Sequence, residues 1–256
     1  MLYIGTSGWQ YADWKGRFYP EDMPTSRWLD FYCERFATVE VNNTFYRLPE
    51  RRTFEKWRNQ TPDDFVVTVK ANRYLTHLKR LKDPGPIVKT FMEAAGGLGS
   101  KLGPVLLQLP PNLPIEMERL EETLQAFPSE VRLAVEFRHS SWFTDEVRTV
   151  LEGRGAAYCL ADRNSTALGA EWRTASWGYL RMHQGDGDPH PCYPDGTLVR
   201  WADTLAAQFD PPDDVYVYFN NDHRCCAIRD AIRFAAMAAD RGFDVTRALA
   251  DPVPVP

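Results

Sequence analysis

The sequence predicts an α/β fold, a TIM-barrel-like (βα)8 parallel barrel, on three observations. Eight strand-like runs alternate with helical or loop segments. Several runs are nearly unbroken Val, Leu, Tyr and Phe, as parallel strands covered on both faces require. The length of 256 residues with 44% hydrophobic content suits one core of this kind, so a single domain over 1–256 is expected. An open doubly wound sheet is the rival. It lacks its signature, because no G-x-G-x-x-G or G-x-x-x-x-G-K-[ST] loop follows any strand, and GTSGW has too few glycines at the wrong spacing.

Strand one is LYIGTS (2–7). An aromatic loop follows, and then Trp28, Phe31 and Tyr32 share a stripe at i, i+3 and i+4, predicting a helix capped by Thr25 or Ser26. ATVEVN (37–42) is strand two, and Thr53 is the expected cap of the helical FEKWRNQ. FVVTVKA (65–71) precedes the helix IVKTFMEAAGG, and VLLQLP (105–110) precedes IEMERLEETLQAF. RLAVEFR (132–138) leads to DEVRTVLEGRG, which ends in glycine as helices often do. After AYCLAD (157–162), the segment 163–178 has little helical periodicity and reads as loop or an extra short strand pair. YLRMH (179–183) and VYVYFN (215–220) each precede an amphipathic helix, and DPVPVP (251–256) is expected to be a loosely attached tail.

Composition narrows the function classes. No basic, apolar and small-residue leader opens the chain, and charges interrupt every apolar run before membrane-spanning length, so a cytoplasmic protein without membrane attachment is expected. Five scattered cysteines without C-x-x-C spacing argue against a disulfide framework or a zinc ribbon. A net charge of −5 argues against wrapping nucleic acid over the whole surface, while leaving room for a local basic patch. No protein partner is readable.

Period-two alternation places polar side chains at the strand ends. Glu40 and Asn42 share a face, as do Lys70 and Asn72, Glu136 and Arg138, and Arg181 and His183; Gln108, Asp162 and Asn220 close their strands. In a parallel barrel these positions converge at the C-terminal mouth, where active sites of the fold lie. Glu136 with Arg138, or Glu40 with Lys70, reads equally well as a buried ion pair. A whole ring of charges carries a high desolvation cost for packing alone.

The motifs IGTSGWQYADWKGRFYP, VEVNNTFYRLP, LLQLPPN, VEFRHSSW, LRMH and YVYFNNDHRCCAIRDA together resemble the DUF72 family, also called YecE-like, across essentially the whole chain. The resemblance implies a TIM-barrel-like fold, and the family's name records an unknown function, so it implies no reaction. Its recurring motifs match Gly5, Ser7, Gly8, Trp9, Glu40, Asn42, Phe45, Tyr46, Lys70, His77, Gln108, Pro110, Glu136, Arg138, Trp142, Arg181, His183, Phe219 and Asn220. One departure is local: HQGDGDPHPCYPDG stands where the family usually has histidine-glycine, which opens the path of that loop to question.

Two chemistries fit the ring. Glu40, Glu136, Asp162 and His183 have the oxygen and imidazole donors of a divalent metal site for Zn²⁺, Mn²⁺ or Mg²⁺, unless they pair with Lys70, Arg138 and Arg181. Alternatively, Lys70, Arg73 and His77 in KANRYLTHLKRLK, with Arg138 and Arg181, form an anion site, since guanidinium groups bind phosphate or carboxylate in bidentate fashion. Lys79, Arg80 and Lys82 read as a solvated charge run. Trp9 in the first loop, and Tyr46 and Arg47 after strand two, are further ligand-contact candidates, with Trp142 and Gln108. Ser140 and Ser141 beside His139 make a weak nucleophile signal without a G-x-S-x-G elbow.

The first expectation is an enzyme, of hydrolase type, acting at the C-terminal mouth on a phosphate-bearing substrate: a nucleotide, a nucleic acid or a phosphosugar. Glu40, Lys70, Glu136, Asp162 and His183 would be catalytic, with Asn42, Arg138, Arg181 and Asn220 among the binding groups. A noncatalytic anion-binding or regulatory barrel is the alternative, and sugar isomerase or glycosidase-like chemistry stands third.

Overall fold

A computed structural model describes residues 1–248, and the tail expected at 251–256 lies outside them. Strands and helices alternate as β1 (Leu2–Thr6), α1 (Trp28–Cys33), β2 (Thr38–Val41), α2 (Asn43–Tyr46), α3 (Arg51–Gln60), β3 (Val66–Lys70), α4 (Pro84–Ala95) and β4 (Leu102–Gln108). They continue as α5 (Met117–Ala126), β5 (Leu133–Glu136), α6 (Asp145–Arg154), β6 (Ala157–Arg163), β7 (Thr166–Ala167), β8 (Gly178–Gln184), α7 (Asp195–Gln208), β9 (Val215–Phe219) and α8 (Cys226–Ala239). The fold is α/β and TIM-barrel-like, as the alternation predicts. Contacts divide it into two compact units. One comprises Met1–Glu40, Ala161–Leu168 and the described chain from Ser176; the other comprises Val41–Leu160 and Gly169–Ala175.

In the first unit β9 lies between β1 and β8, parallel to both, with Ile4 and Leu180 each in register with Val217. All three side chains are wholly buried. Ile228, Ala231, Phe234, Ala235 and Ala238 recur on one buried face of α8, which packs on β1, β9 and α7. β1 and β2 approach so closely that a Cβ at Gly5 would collide with the carbonyl oxygen of Thr38, which is why that strand position is glycine. The aromatics of the first loop also belong to the core: Tyr19 stacks on Trp28 at 4.6 Å, and the Trp14 indole donates to the Asp222 carbonyl at 2.7 Å.

In the second unit β3, β4, β5 and the start of β6 pair in parallel, with Val105 opposite Leu133 and Leu107 opposite Val135. These are the uninterrupted apolar runs of the sequence, buried as such runs require.

Local differences have local causes. A 3-10 turn, Thr25–Arg27, leads into α1, and α3 begins at Arg51, so Thr53 lies inside its first turn; neither helix takes the expected side-chain cap. Between β6 and β8 there is no helix, and β7 folds back antiparallel on β6, as the weak periodicity there allows. Cys192 and Cys226 form a disulfide, contrary to the expectation from spacing. The partners are 34 residues apart, and it is the intervening α7 and β9 that return the chain to its starting point. Cys33, Cys159 and Cys225 are buried and form no disulfide. Among the described residues no helix is long and apolar enough to cross a membrane.

Candidate functional site

All four residues of β2 are buried, so Glu40 is an interior carboxylate. Its Oε1 accepts from Ser7 Oγ at 2.7 Å and from Arg181 Nη2 at 2.8 Å, and its Oε2 accepts from Tyr179 OH at 2.6 Å. Burial alone would raise its pKa, but the Arg181 charge and the bonds from Arg181, Tyr179 and Ser7 outweigh burial and hold it below the usual value. Burial and the neighbouring Glu40 charge in turn push the Tyr179 phenol well up, so it remains a donor. A carboxylate with a lowered pKa and both oxygens engaged is a poor proton acceptor. Glu40 is a fixed counter-ion for the buried Arg181, and this geometry opposes the catalytic role expected of it.

Asp162 also departs from expectation. Its Oδ2 accepts from Trp201 Nε1 at 2.8 Å and Arg200 Nη2 at 2.9 Å, so the side chain turns to α7 and clamps that helix to β6. Its Oδ1 is buried without a hydrogen-bond partner. His183, 6% exposed, lies at the end of β8 with its Nδ1 3.4 Å from Asn220 Nδ2. Trp9 is buried, its carbonyl held by Tyr19 OH at 2.6 Å, so its ring is not a surface for stacking a ligand.

The second unit assembles a different set. Lys70, Gln108 and Glu136 are the last residues of three adjacent parallel strands, β3, β4 and β5, and Gln108 is in register with Glu136. Lys70 Nζ donates to Gln108 Oε1 at 2.5 Å and sits 4.3 Å from the centre of the Phe45 ring. Two residues past β5, Arg138 donates through Nε and Nη2 to Glu136 Oε1, both at 2.8 Å. His77 lies in a π-helical turn, Tyr74–Leu78, with its ring edge-on to Phe45 at 4.8 Å and Nδ1 2.9 Å from the Thr76 hydroxyl. Partial burial and the charges of Lys70, Arg138 and Arg73 lower its pKa to about 4. The charges of three cations therefore act on the His77 imidazole, and Arg138 among them pairs with Glu136.

Of the remaining candidates in this unit, Tyr46 is 71% exposed and Arg47 is exposed, while Asn42 lies half-buried ahead of α2. Trp142 is wholly buried, and its indole donates to the Leu113 carbonyl at 2.8 Å; this places it in the core and opposes a ligand contact. His139 Nδ1 lies 2.8 Å from Ser141 Oγ, a local turn bond. Among the described residues no three His, Cys, Asp or Glu side chains converge to hold a metal ion, which counts against the Glu40, Glu136, Asp162 and His183 set. The sequence reading missed Tyr179 and the exposed Tyr74 and Leu78, and had Phe45 only among the positions of the family's motifs. Tyr179 lies two residues before Arg181 on one strand face, the signal that would have found it.

The model of a family described as "Protein of unknown function DUF72" matches residues 3–254. The chain belongs to the DUF72 family. Among curated proteins it is similar to the UPF0759 protein YecE of Escherichia coli K12, 31% identical over 156 residues, 60% of this chain and 55% of that one. It is 26% identical over 182 residues to the UPF0759 protein YunF of Bacillus subtilis 168, covering 66% of this chain and 64% of that one. The matches thus span little more than half of YecE and under two thirds of YunF. Among solved structures, a DUF72 family protein from Thermotoga maritima MSB8 superposes with a TM-score of 0.81 at 29% identity, over 93% of this chain and 99% of that one. The crystal structure of SacUVDE shares the fold alone, with a TM-score of 0.52 at 8% identity over 90% and 96% of the two chains.

Proposed function

We propose that this DUF72 chain is an enzyme that hydrolyses a phosphate ester at the C-terminal ends of β3, β4 and β5. The observation that supports it is that Lys70 and His77 both pack on the Phe45 ring, with the charges of Arg73 and Arg138 also acting on the imidazole. Lys70 and the two guanidinium groups hold the phosphate oxygens, Gln108 orients the Lys70 ammonium, and Glu136 fixes the angle of the Arg138 fork. A bound phosphate dianion offsets the cations that depress the His77 pKa. The imidazole then becomes a better base as substrate arrives. His77 takes the proton of the attacking water, the new P–O bond forms, the ester P–O bond breaks, and the leaving oxygen recovers a proton from His77 or solvent.

The test combines binding and turnover. Inorganic phosphate should bind saturably and raise the His77 pKa from about 4, followed by NMR. p-Nitrophenyl phosphate should be hydrolysed, with His77→Gln lowering kcat by about 100-fold or more and Arg138→Ala raising the phosphate Kd about tenfold or more. Absence of saturable phosphate binding would sink the reading.

A noncatalytic anion-binding barrel is the second reading. It is favoured by the engagement of Glu40, Asp162 and Glu136 with Arg181, Arg200 and Arg138 respectively. Saturable phosphate binding with no product after prolonged incubation would select it. Glycosidase-like chemistry needs Glu40 as acid or nucleophile, and its three bonds leave it neither role.

A further inference from the structure

Beside the cationic cluster the second unit holds a cleft of about 510 Å³, within the range of single small-ligand sites. Its walls are apolar, formed by Leu48, Tyr74, Ile87 and Phe91, with Lys79 and Asp83 at polar positions. Tyr74 is 46% exposed and Phe91 only 2%, so the cleft has an open aromatic face over a closed floor. Lys79 lies 5.8 Å from the Tyr74 ring centre. Asp83 makes no side-chain cap bond to α4, the bond an aspartate at a helix start ordinarily makes.

Cleft and cations are joined through shared residues. Thr44 donates its hydroxyl to the Lys70 carbonyl at 2.7 Å, and its own carbonyl accepts from Asn72 Nδ2 at 3.2 Å. Asn72 lines the cleft, its Oδ1 accepts from the Tyr74 backbone at 2.7 Å, and Arg73 stands between the two in the chain. Lys70 and Tyr74 are four residues apart, so their backbones are separated by at most about 14 Å, a span one nucleotide bridges.

The loop that bounds the cleft is held in an unusual state. Arg80, Leu81 and Asp83 all adopt left-handed backbone with φ of 53°, 64° and 48°. Such conformations cost free energy in non-glycine residues and persist where the surroundings fix them. The π-helical turn Tyr74–Leu78 closes the other side, with Lys79 N donating to Tyr74 O at 2.8 Å. Both irregularities set the position of the side chains that line the cleft.

We infer that the phosphate-bearing ligand is a mononucleotide, its base lying in this cleft against Tyr74. Its phosphate takes the Lys70, Arg73 and Arg138 position, so the inference rests on the proposed function. An aromatic face receives the base by stacking, and a carboxylate at the rim accepts from a base edge rich in N–H groups, which guanine presents through N1 and N2. A simple sugar phosphate would leave the apolar walls uncovered. The cleft has room for one base.

Calorimetry on the full chain would compare guanosine 5′-monophosphate, ribose 5-phosphate and a single-stranded guanosine-containing oligonucleotide. The nucleotide should bind about tenfold or more tighter than ribose 5-phosphate, the order expected of one aromatic stack. Tyr74→Ala should remove that advantage and leave ribose 5-phosphate affinity unchanged, while Tyr74→Phe should keep it. Asp83→Asn should weaken guanosine 5′-monophosphate more than adenosine 5′-monophosphate. Equal binding of nucleotide and ribose 5-phosphate would overturn the base site and leave the phosphate site standing. Failure of both to bind would overturn the phosphate reading itself. Binding of the oligonucleotide without the mononucleotide would overturn the inference in favour of a strand ligand.

Discussion

Replacing Glu40 by Gln removes one charge from a fully buried ion pair and keeps the shape of the side chain. Arg181, 1% exposed, cannot lose its proton at any accessible pH, so the substitution takes the Glu40 charge away from a buried guanidinium. Breaking a buried pair from one side costs about 3–5 kcal/mol. The Ser7 and Tyr179 hydroxyls, which now donate to the carboxylate, would also have to share one carbonyl oxygen. Urea unfolding followed by tryptophan fluorescence should show the midpoint falling with the slope unchanged.

The pH profile supplies an independent check. The Glu40 pKa is lowered in the folded state, so its contribution is present above the unfolded value, near 4.5, and is lost as pH falls through the folded value. The native protein should therefore lose stability on acidification below that range more steeply than Glu40→Gln. A midpoint change worth under about 1 kcal/mol, with unchanged acid sensitivity, would refute the view of Glu40 as a fixed counter-ion.

Gly5→Ala should destabilise the protein by about 1–3 kcal/mol or prevent folding, because the new methyl meets the Thr38 backbone; an unchanged melting temperature would contradict the close approach of β1 and β2. Cys192→Ser with Cys226→Ser opens a 34-residue connection, for which chain entropy predicts a loss of roughly 4 kcal/mol; unfolding with and without reductant should show the same loss in the native chain. The His77 ring should stay neutral from pH 8 to 5 in the ligand-free protein, since its pKa lies at about 4; an NMR titration midpoint near 6.5 would remove the cationic surroundings from the argument.

The fold was legible because its strands are apolar on both faces. Runs such as Val105 to Leu107 and Leu133 to Val135 leave an open amphipathic sheet no solvated face, and their alternation with helices selects parallel pairing. Less legible were features that depend on distant chain. Cys192 and Cys226 show no pairing signal in their spacing, because α7 and β9 bring them together. Helix starts at Thr25 and Thr53 failed because side-chain capping is one of several ways to satisfy a first turn, and here backbone turns satisfy it.

At the site, period two says which face a strand residue takes and is silent on what waits there. Glu40 and Asp162 were both read as strand-end carboxylates open to chemistry. One meets Arg181, Tyr179 and Ser7, and the other meets Trp201 and Arg200 on a helix. Each buried carboxylate is therefore neutralised by partners whose identity comes from tertiary packing, as burial of a charge demands. Lys70 differs in kind. Its Nζ donates to the neutral Gln108 and stands 4.3 Å from the centre of the Phe45 ring, whose face attracts a cation. Arg73 is exposed and Arg138 pairs with Glu136, and the charges of both act with that of Lys70 on the His77 ring. That gathering of cations is the feature on which the proposed anion site rests, and together with partial burial it holds the His77 pKa at about 4.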